Sequence, residues 1–160
     1  KEMIKKIMQK FGKIDILVNN AGVLHKGNFQ NQSPSQIKEQ IETNLLGPMD
    51  VTYFMLPYLK KRKEAIILNV VSMKGTFPHK NYVSYCASKF GLRGFTKSLA
   101  LEIPKSIRIY AFNPFSQTAT RMTHFNGKPA KKVAEVLVKC LEEKLNKKSG
   151  DEINAKDYMK

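Results

Sequence analysis

The stretch IDILVNNAG, Ile14 to Gly22, decides the fold of this chain. Four of its first five residues are apolar, and so short and nearly continuous a run marks a strand buried on both faces of a parallel sheet. It passes directly into the small and polar NNAG. Upstream, Met3, Ile4, Ile7, Met8 and Phe11 recur at helical spacing until Gly12 ends the helix. Downstream, SPSQ (Ser33 to Gln36) supplies an N-cap Ser, a Pro at the first helical position and a Gln at the capping-box position. The helix that starts there carries Ile37, Ile41, Leu45, Met49 and Thr52 to about Lys61, with a kink expected at Pro57.

The same alternation continues. AIILNVV (Ala65 to Val71) reads as a second buried strand and IRIYAF (Ile107 to Phe112) as a third. Between them a helix from about Tyr82 to Glu102 carries Phe90, Leu92, Phe95, Leu99 and Leu101, and Pro129 to Leu145 makes a last amphipathic helix. Helices and strands alternating at this spacing predict right-handed crossovers and a three-layer, doubly wound parallel sheet with helices on both sides. Residues 1–160 read as one α/β domain.

Composition excludes several alternatives. With 42% apolar and 26% charged residues the chain is an ordinary globular sequence. No apolar run exceeds four residues, far short of the roughly 20 a membrane helix needs, and the lysine-studded start lacks a secretory apolar core. Cys86 and Cys140 are isolated from each other and from any histidine, so both are expected to be reduced, with no metal site; His25, His79 and His124 have no metal-ligand spacing either. A cytoplasmic protein is expected. The net charge of +15 raises nucleic acid as a rival partner, but only four basic residues are Arg (Arg62, Arg93, Arg108, Arg121) and no nucleic-acid-binding motif appears. The lysines read as a solvated surface.

In doubly wound sheets ligands bind at the carboxyl ends of the strands. Asn19 to Gly22 follow the first strand, Ser72 the second and Asn113 to Thr120 the third, while Tyr85 and Lys89 lie near a helix start. With six Tyr and 24 Lys in 160 residues, about one Tyr/Lys pair at a spacing of four is expected by chance, so the pair carries weight only through its surroundings. Its chemistry is nevertheless specific. A tyrosine with an ordinary pKa near 10 donates a proton poorly unless its phenolate is stabilised. A spacing of four puts Tyr85 and Lys89 on one helix face, where the ammonium is expected to lower the phenol's pKa.

Together, FGKIDILVNNAG (Phe11 to Gly22), Asn44 in NLLG, ILNVVSMKG (Ile67 to Gly75) with Ser72 thirteen residues before Tyr85, and YCASKFGLRGFTKSLALE (Tyr85 to Glu102) resemble the short-chain dehydrogenase/reductase family. The match covers about Phe11 to Thr120. The resemblance implies a Rossmann-type fold and an oxidoreductase that passes hydride between NAD or NADP and a carbonyl or alcohol substrate, nearest in flavour to the 3-oxoacyl-acyl-carrier-protein reductases, whose substrate is carrier-bound. It implies a catalytic set of Asn44, Ser72, Tyr85 and Lys89. Ser72 would hold the substrate oxygen, Lys89 the nicotinamide ribose, and Asn44 a water relaying protons to the lysine. Cofactor contacts would come from Asn20, Ala21, Gly22, Tyr85, Lys89, Pro114, Gln117 and Thr118. The helices of Ser33 to Lys61 and Tyr82 to Glu102 would pair in a homodimer or homotetramer.

Three features depart from the family pattern. The glycine-rich TGxxxGxG turn is absent, so the chain reads as N-terminally truncated, the C-terminal part of the fold without its first βαβαβ half. NPFSQTAT has Phe115 where the family has Gly, which leaves the register of Gln117, Thr118 and Thr120 open by one residue. The end lacks a clear apolar strand, so a seventh strand is expected to be short or lost. A non-catalytic remnant of the fold is the contrasting reading, and a basic nucleic-acid binder a third.

Overall fold

The computed structural model describes residues 1–114, 118–142 and 147–158. The helices are α1 (Glu2–Phe11), α2 (Pro34–Ile41), α3 (Gly47–Leu59), α4 (Val83–Leu99) and α5 (Ala130–Glu142). The strands β1 (Ile16–Asn19), β2 (Ala65–Val70), β3 (Ile107–Asn113) and β6 (Glu152–Asn154) form one sheet in that order, and β4 (Thr118–Ala119) and β5 (Lys128–Pro129) pair separately. All pairings are parallel, with Leu17 opposite Ile67, Ile67 opposite Ile109 and Phe112 opposite Ile153.

Alternate residues of each strand face opposite layers. Leu68, Tyr110, Phe112 and Ile153 pack with Val133 and Cys140 of α5 on one face. Ile67, Ile107 and Ile109 pack with Ile4 of α1 and Met55 and Leu59 of α3 on the other, and Leu92 of α4 packs on Val71 and Ala111. The expected three-layer α/β sandwich is therefore present. Both cysteines are buried and outside any disulfide. Among the described residues no helix is long and apolar enough to cross a membrane, and no cluster of His, Cys, Asp or Glu could hold a metal.

Three expectations need correction. The first strand is not buried on both faces: Ile16 and Val18 are 43% and 40% exposed and only Asn19 is buried. The reason is topological, because β1 pairs with β2 alone and lies at the sheet edge. Second, the long helix from Ser33 is two helices joined by a π-helical turn, Glu42–Leu46, in which Gly47 N–H donates to Glu42 O. Pro48 has no N–H to give the carbonyl four residues back, that of Asn44, so an α-helical ladder cannot run unbroken through this point. The predicted capping box is present, Ser33 Oγ accepting from Gln36 N–H at 3.3 Å and Gln36 Oε1 from Ser33 N–H at 3.0 Å. Third, α4 stops at Leu99 rather than at Glu102; α5 is described over Ala130–Glu142, and the expected helix end at Leu145 lies outside the described residues. The last strand is short, as expected. Only Ile153 of β6 enters the core, while Glu152 beside it accepts from Arg93 and, at 3.2 Å, from Asn113 Nδ2.

A buried polar chain ties the layers together just below the strand ends. Asn19 Nδ2 donates to Asn69 Oδ1 at 2.8 Å and to Thr52 Oγ1 at 3.1 Å, and Asn69 Nδ2 donates to Thr96 Oγ1 at 2.9 Å. One amide thus links β1 to β2 and α3, and the next links β2 to α4.

Candidate active site

The carboxyl ends of β1, β2 and β3 open onto a cleft of about 1360 Å³ whose lining includes Asn20, Gly22, Ser72, Tyr85, Lys89, Pro114 and Thr118. Ser72 lies two residues beyond β2 in extended conformation, and its Oγ accepts from Lys74 N–H at 3.2 Å. Its hydroxyl acts on the Tyr85 phenol, whose pKa it lowers. Tyr85 and Lys89 are both buried one turn apart on α4, with the Lys89 ammonium 5.8 Å from the Tyr85 ring centroid. Lys89 Nζ donates to Val70 O at 2.9 Å, which fastens α4 to the end of β2.

Burial governs the electrostatics. It lowers the Lys89 pKa from 10.5 to about 8, because an ammonium loses its hydration there. The same desolvation pushes the Tyr85 phenol above its ordinary value, with the Ser72 hydroxyl acting against the rise. The expected lowering of Tyr85 by Lys89 is therefore not found: loss of solvent raises the phenol, and the group that opposes the rise is Ser72 rather than the ammonium.

Asn44 lies in the π-helical turn, fully buried. Its Oδ1 accepts from Val23 N–H at 2.8 Å, and its Nδ2 donates to Val23 O at 2.9 Å and to Ser88 Oγ at 3.1 Å. The side chain thus clamps the loop after β1 against α4 and brings Gly22 to the site. A β-carbon on Gly22 would stand 3.2 Å from Asn44 Oδ1 and 3.8 Å from Lys89 Nζ, so only glycine leaves this groove open. Ala21 is exposed and does not line the cleft. Gln117 and Phe115 lie outside the described residues.

The family model described as short chain dehydrogenase matches residues 1–131. The chain is a short-chain dehydrogenase/reductase. It is 36% identical over 115 residues to the 3-oxoacyl-[acyl-carrier-protein] reductase FabG of Thermotoga maritima, which covers 71% of this chain and 47% of that protein. It is 38% identical over 99 residues to human dehydrogenase/reductase SDR family member 7, covering 62% of this chain and 29% of that protein. A crystal structure of 3-ketoacyl-(acyl-carrier-protein) reductase from Brucella melitensis complexed with NADH superposes with a TM-score of 0.84 at 28% identity, covering 94% of this chain and 69% of that one. The chain spans less than half the length of the curated relatives named here.

This short-chain dehydrogenase/reductase thus brings Ser72, Tyr85 and Lys89 to one cleft, with Asn44 behind them. The residues fit the nicotinamide–ribose end of a dinucleotide. Lys89 has three N–H donors and one protein acceptor among the described residues, the Thr118 hydroxyl on the same cleft is buried without a partner, and Gly22 leaves space beside the Lys89 ammonium. Sequence reasoning overlooked Asn69, whose role is visible only when Asn19 and Thr96 meet it across the sheet. It also overlooked Lys26, Lys74 and Tyr82 at the cleft, although Lys74 stands two residues after Ser72 and Tyr82 three before Tyr85.

Proposed function

We propose that this protein is an NAD(P)-dependent oxidoreductase that interconverts a carbonyl compound and its alcohol. The observation that carries the proposal is the convergence of Ser72, Tyr85 and the buried Lys89 on one cleft at the carboxyl end of β2. The cofactor supplies or accepts the hydride. Ser72 Oγ, together with the Tyr85 hydroxyl, holds the carbonyl oxygen; the Tyr85 phenol gives that oxygen its proton as the alcohol forms and takes it back in the reverse direction. A phenol with a raised pKa is fully protonated at neutral pH, the state a carbonyl reduction requires. Lys89 holds positive charge beneath the reacting oxygens and offers its free donors to ribose hydroxyls.

The reductases among the relatives favour the carbonyl-to-alcohol direction and a 3-oxo compound as substrate. Assembly as a homodimer or homotetramer is supported by apolar residues left on the outer faces of α3 and α4, Tyr53 at 71% and Phe90 at 43% exposure. Two buried cysteines outside any disulfide agree with a cytoplasmic setting. The test is oxidation of NADH and NADPH followed by the absorbance of the reduced nicotinamide with a panel of ketones, beside Tyr85→Phe. Ketone-dependent turnover absent from the variant supports the proposal; cofactor binding without turnover of any ketone would favour the non-catalytic reading.

A further inference from the structure

The cleft is electrostatically one-sided. Its described lining contains Lys26, Lys74, Lys89 and Arg121 and no Asp or Glu. Two of these cations meet on one ring: the Lys74 ammonium stands 4.6 Å and the Lys26 ammonium 5.6 Å from the Tyr82 ring centroid. Neither forms an ion pair with a carboxylate among the described residues, although Lys38, Arg62, Arg93 and Lys97 all do. The nearby Glu39 is engaged by His25 at 2.6 Å.

Two ammonium groups converging on one ring repel each other. Contact with an aromatic face returns only about 0.5–1 kcal/mol at exposed sites. Lys74 is moreover half-buried, where repulsion is less screened. The arrangement is also built rather than incidental, since three loops supply it. Gly27 N–H donates to Asn81 O at 3.0 Å, which pins the loop of Lys26 beside Tyr82. Lys74 N–H donates to Ser72 Oγ at 3.2 Å, which pins Lys74 to the hydroxyl pair.

The position separates this pair from the cofactor end of the cleft. Tyr82 packs edge-on against Tyr85 with ring centroids 6.4 Å apart, so the lysines stand one ring away from the proton donor. We propose that Lys26 and Lys74, arranged around Tyr82, bind an oxyanion carried by the substrate itself, a carboxylate or phosphate a few atoms from the reacting carbonyl. Tyr82 supplies the flat wall along which the linking carbons lie. This inference rests on the proposed carbonyl chemistry and sets its substrate class: a short anionic oxo compound rather than a neutral ketone or a thioester on a long carrier arm.

The experiment compares oxo acids with one to three methylenes between carbonyl and carboxylate (acetoacetate, levulinate, 5-oxohexanoate) with their ethyl esters, using the intact protein and both cofactors. At least one acid is expected to exceed its ester in kcat/KM on the order of 10-fold or more, a difference of about 1.4 kcal/mol. That ratio should collapse towards one in Lys26→Gln/Lys74→Gln, return in Lys26→Arg/Lys74→Arg, and fall with added salt in the unmodified protein. An acetonyl phosphate arm tells which oxyanion is preferred. Esters turned over as well as acids, or an acid preference unchanged in the Gln pair, would overturn the inference while leaving the oxidoreductase reading intact. If no ketone is reduced at all, calorimetric titration with levulinate and ethyl levulinate decides it alone: salt-sensitive binding of the acid, lost in the Gln pair, supports the oxyanion site, and equal or absent binding of the two refutes it.

Discussion

A β-carbon placed on Gly75 would stand 2.9 Å from both the carbonyl carbon and the carbonyl oxygen of Lys89. The turn after Ser72 therefore lies directly on the backbone of α4 at the residue that carries the ammonium. Side-chain movement cannot relieve such a clash, because the atoms met are main chain. Gly75→Ala should push the turn from the helix, cost about 1–3 kcal/mol of stability, and separate Ser72 from Tyr85. Denaturant unfolding together with turnover would check this; a variant with wild-type stability and activity would contradict the contact.

Tyr85→Phe removes one hydroxyl from a buried ring and leaves the ring's packing in place. Turnover should fall on the order of 10²–10⁴-fold, the range for a lost proton donor. Circular dichroism and cofactor affinity should change little. Activity within tenfold (~) of wild type would exclude Tyr85 as the donor.

Lys89 gives stability a defined pH dependence in the absence of cofactor. Its folded pKa, about 8, lies below the 10.5 of the open chain, so the buried charge opposes folding. Below about pH 8 both states hold the proton and the opposition is complete. As pH climbs from about 8 to 10.5 the folded protein releases the proton first, and stability rises. The unfolding free energy of wild type minus that of Lys89→Met should therefore increase across this window, by up to about 3 kcal/mol. A difference that stays flat, or falls, would show that Lys89 is not desolvated.

Asn19 and Asn69 can be tested as a pair. Replacing either alone by Leu strands the other's buried amide and should destabilise by about 1–3 kcal/mol. Replacing both removes donor and acceptor together, so the double variant should lose less than the two single losses combined. Strict additivity in thermal unfolding would mean that the 2.8 Å hydrogen bond between them contributes nothing.

The sequence by itself determined the kind of fold and the place of its chemistry. The apolar runs at Ile14, Ala65 and Ile107, with helical periodicity between them, can only bury themselves in a parallel sheet with helices on both faces. The polar residues that end those runs then fall at one edge by chain order alone, which brought Ser72, Tyr85 and Lys89 within view. What a neighbour across space controls was decided only by the tertiary structure. Ile16 and Val18 are half-open because of which strand flanks them, and no pattern in IDILV records that. The spacing of Tyr85 and Lys89 suggested a depressed phenol pKa, yet the balance between a nearby charge and lost hydration depends on how completely the helix is covered, and here the covering dominates. Asn44 was found as a residue but not as a clamp on Val23, since hydrogen bonds between segments 21 residues apart leave no local periodicity. The convergence of Lys26 and Lys74 on Tyr82 is invisible for the same reason: in a chain with 24 lysines, only folding shows which two share a ring and lack a carboxylate partner among the described residues.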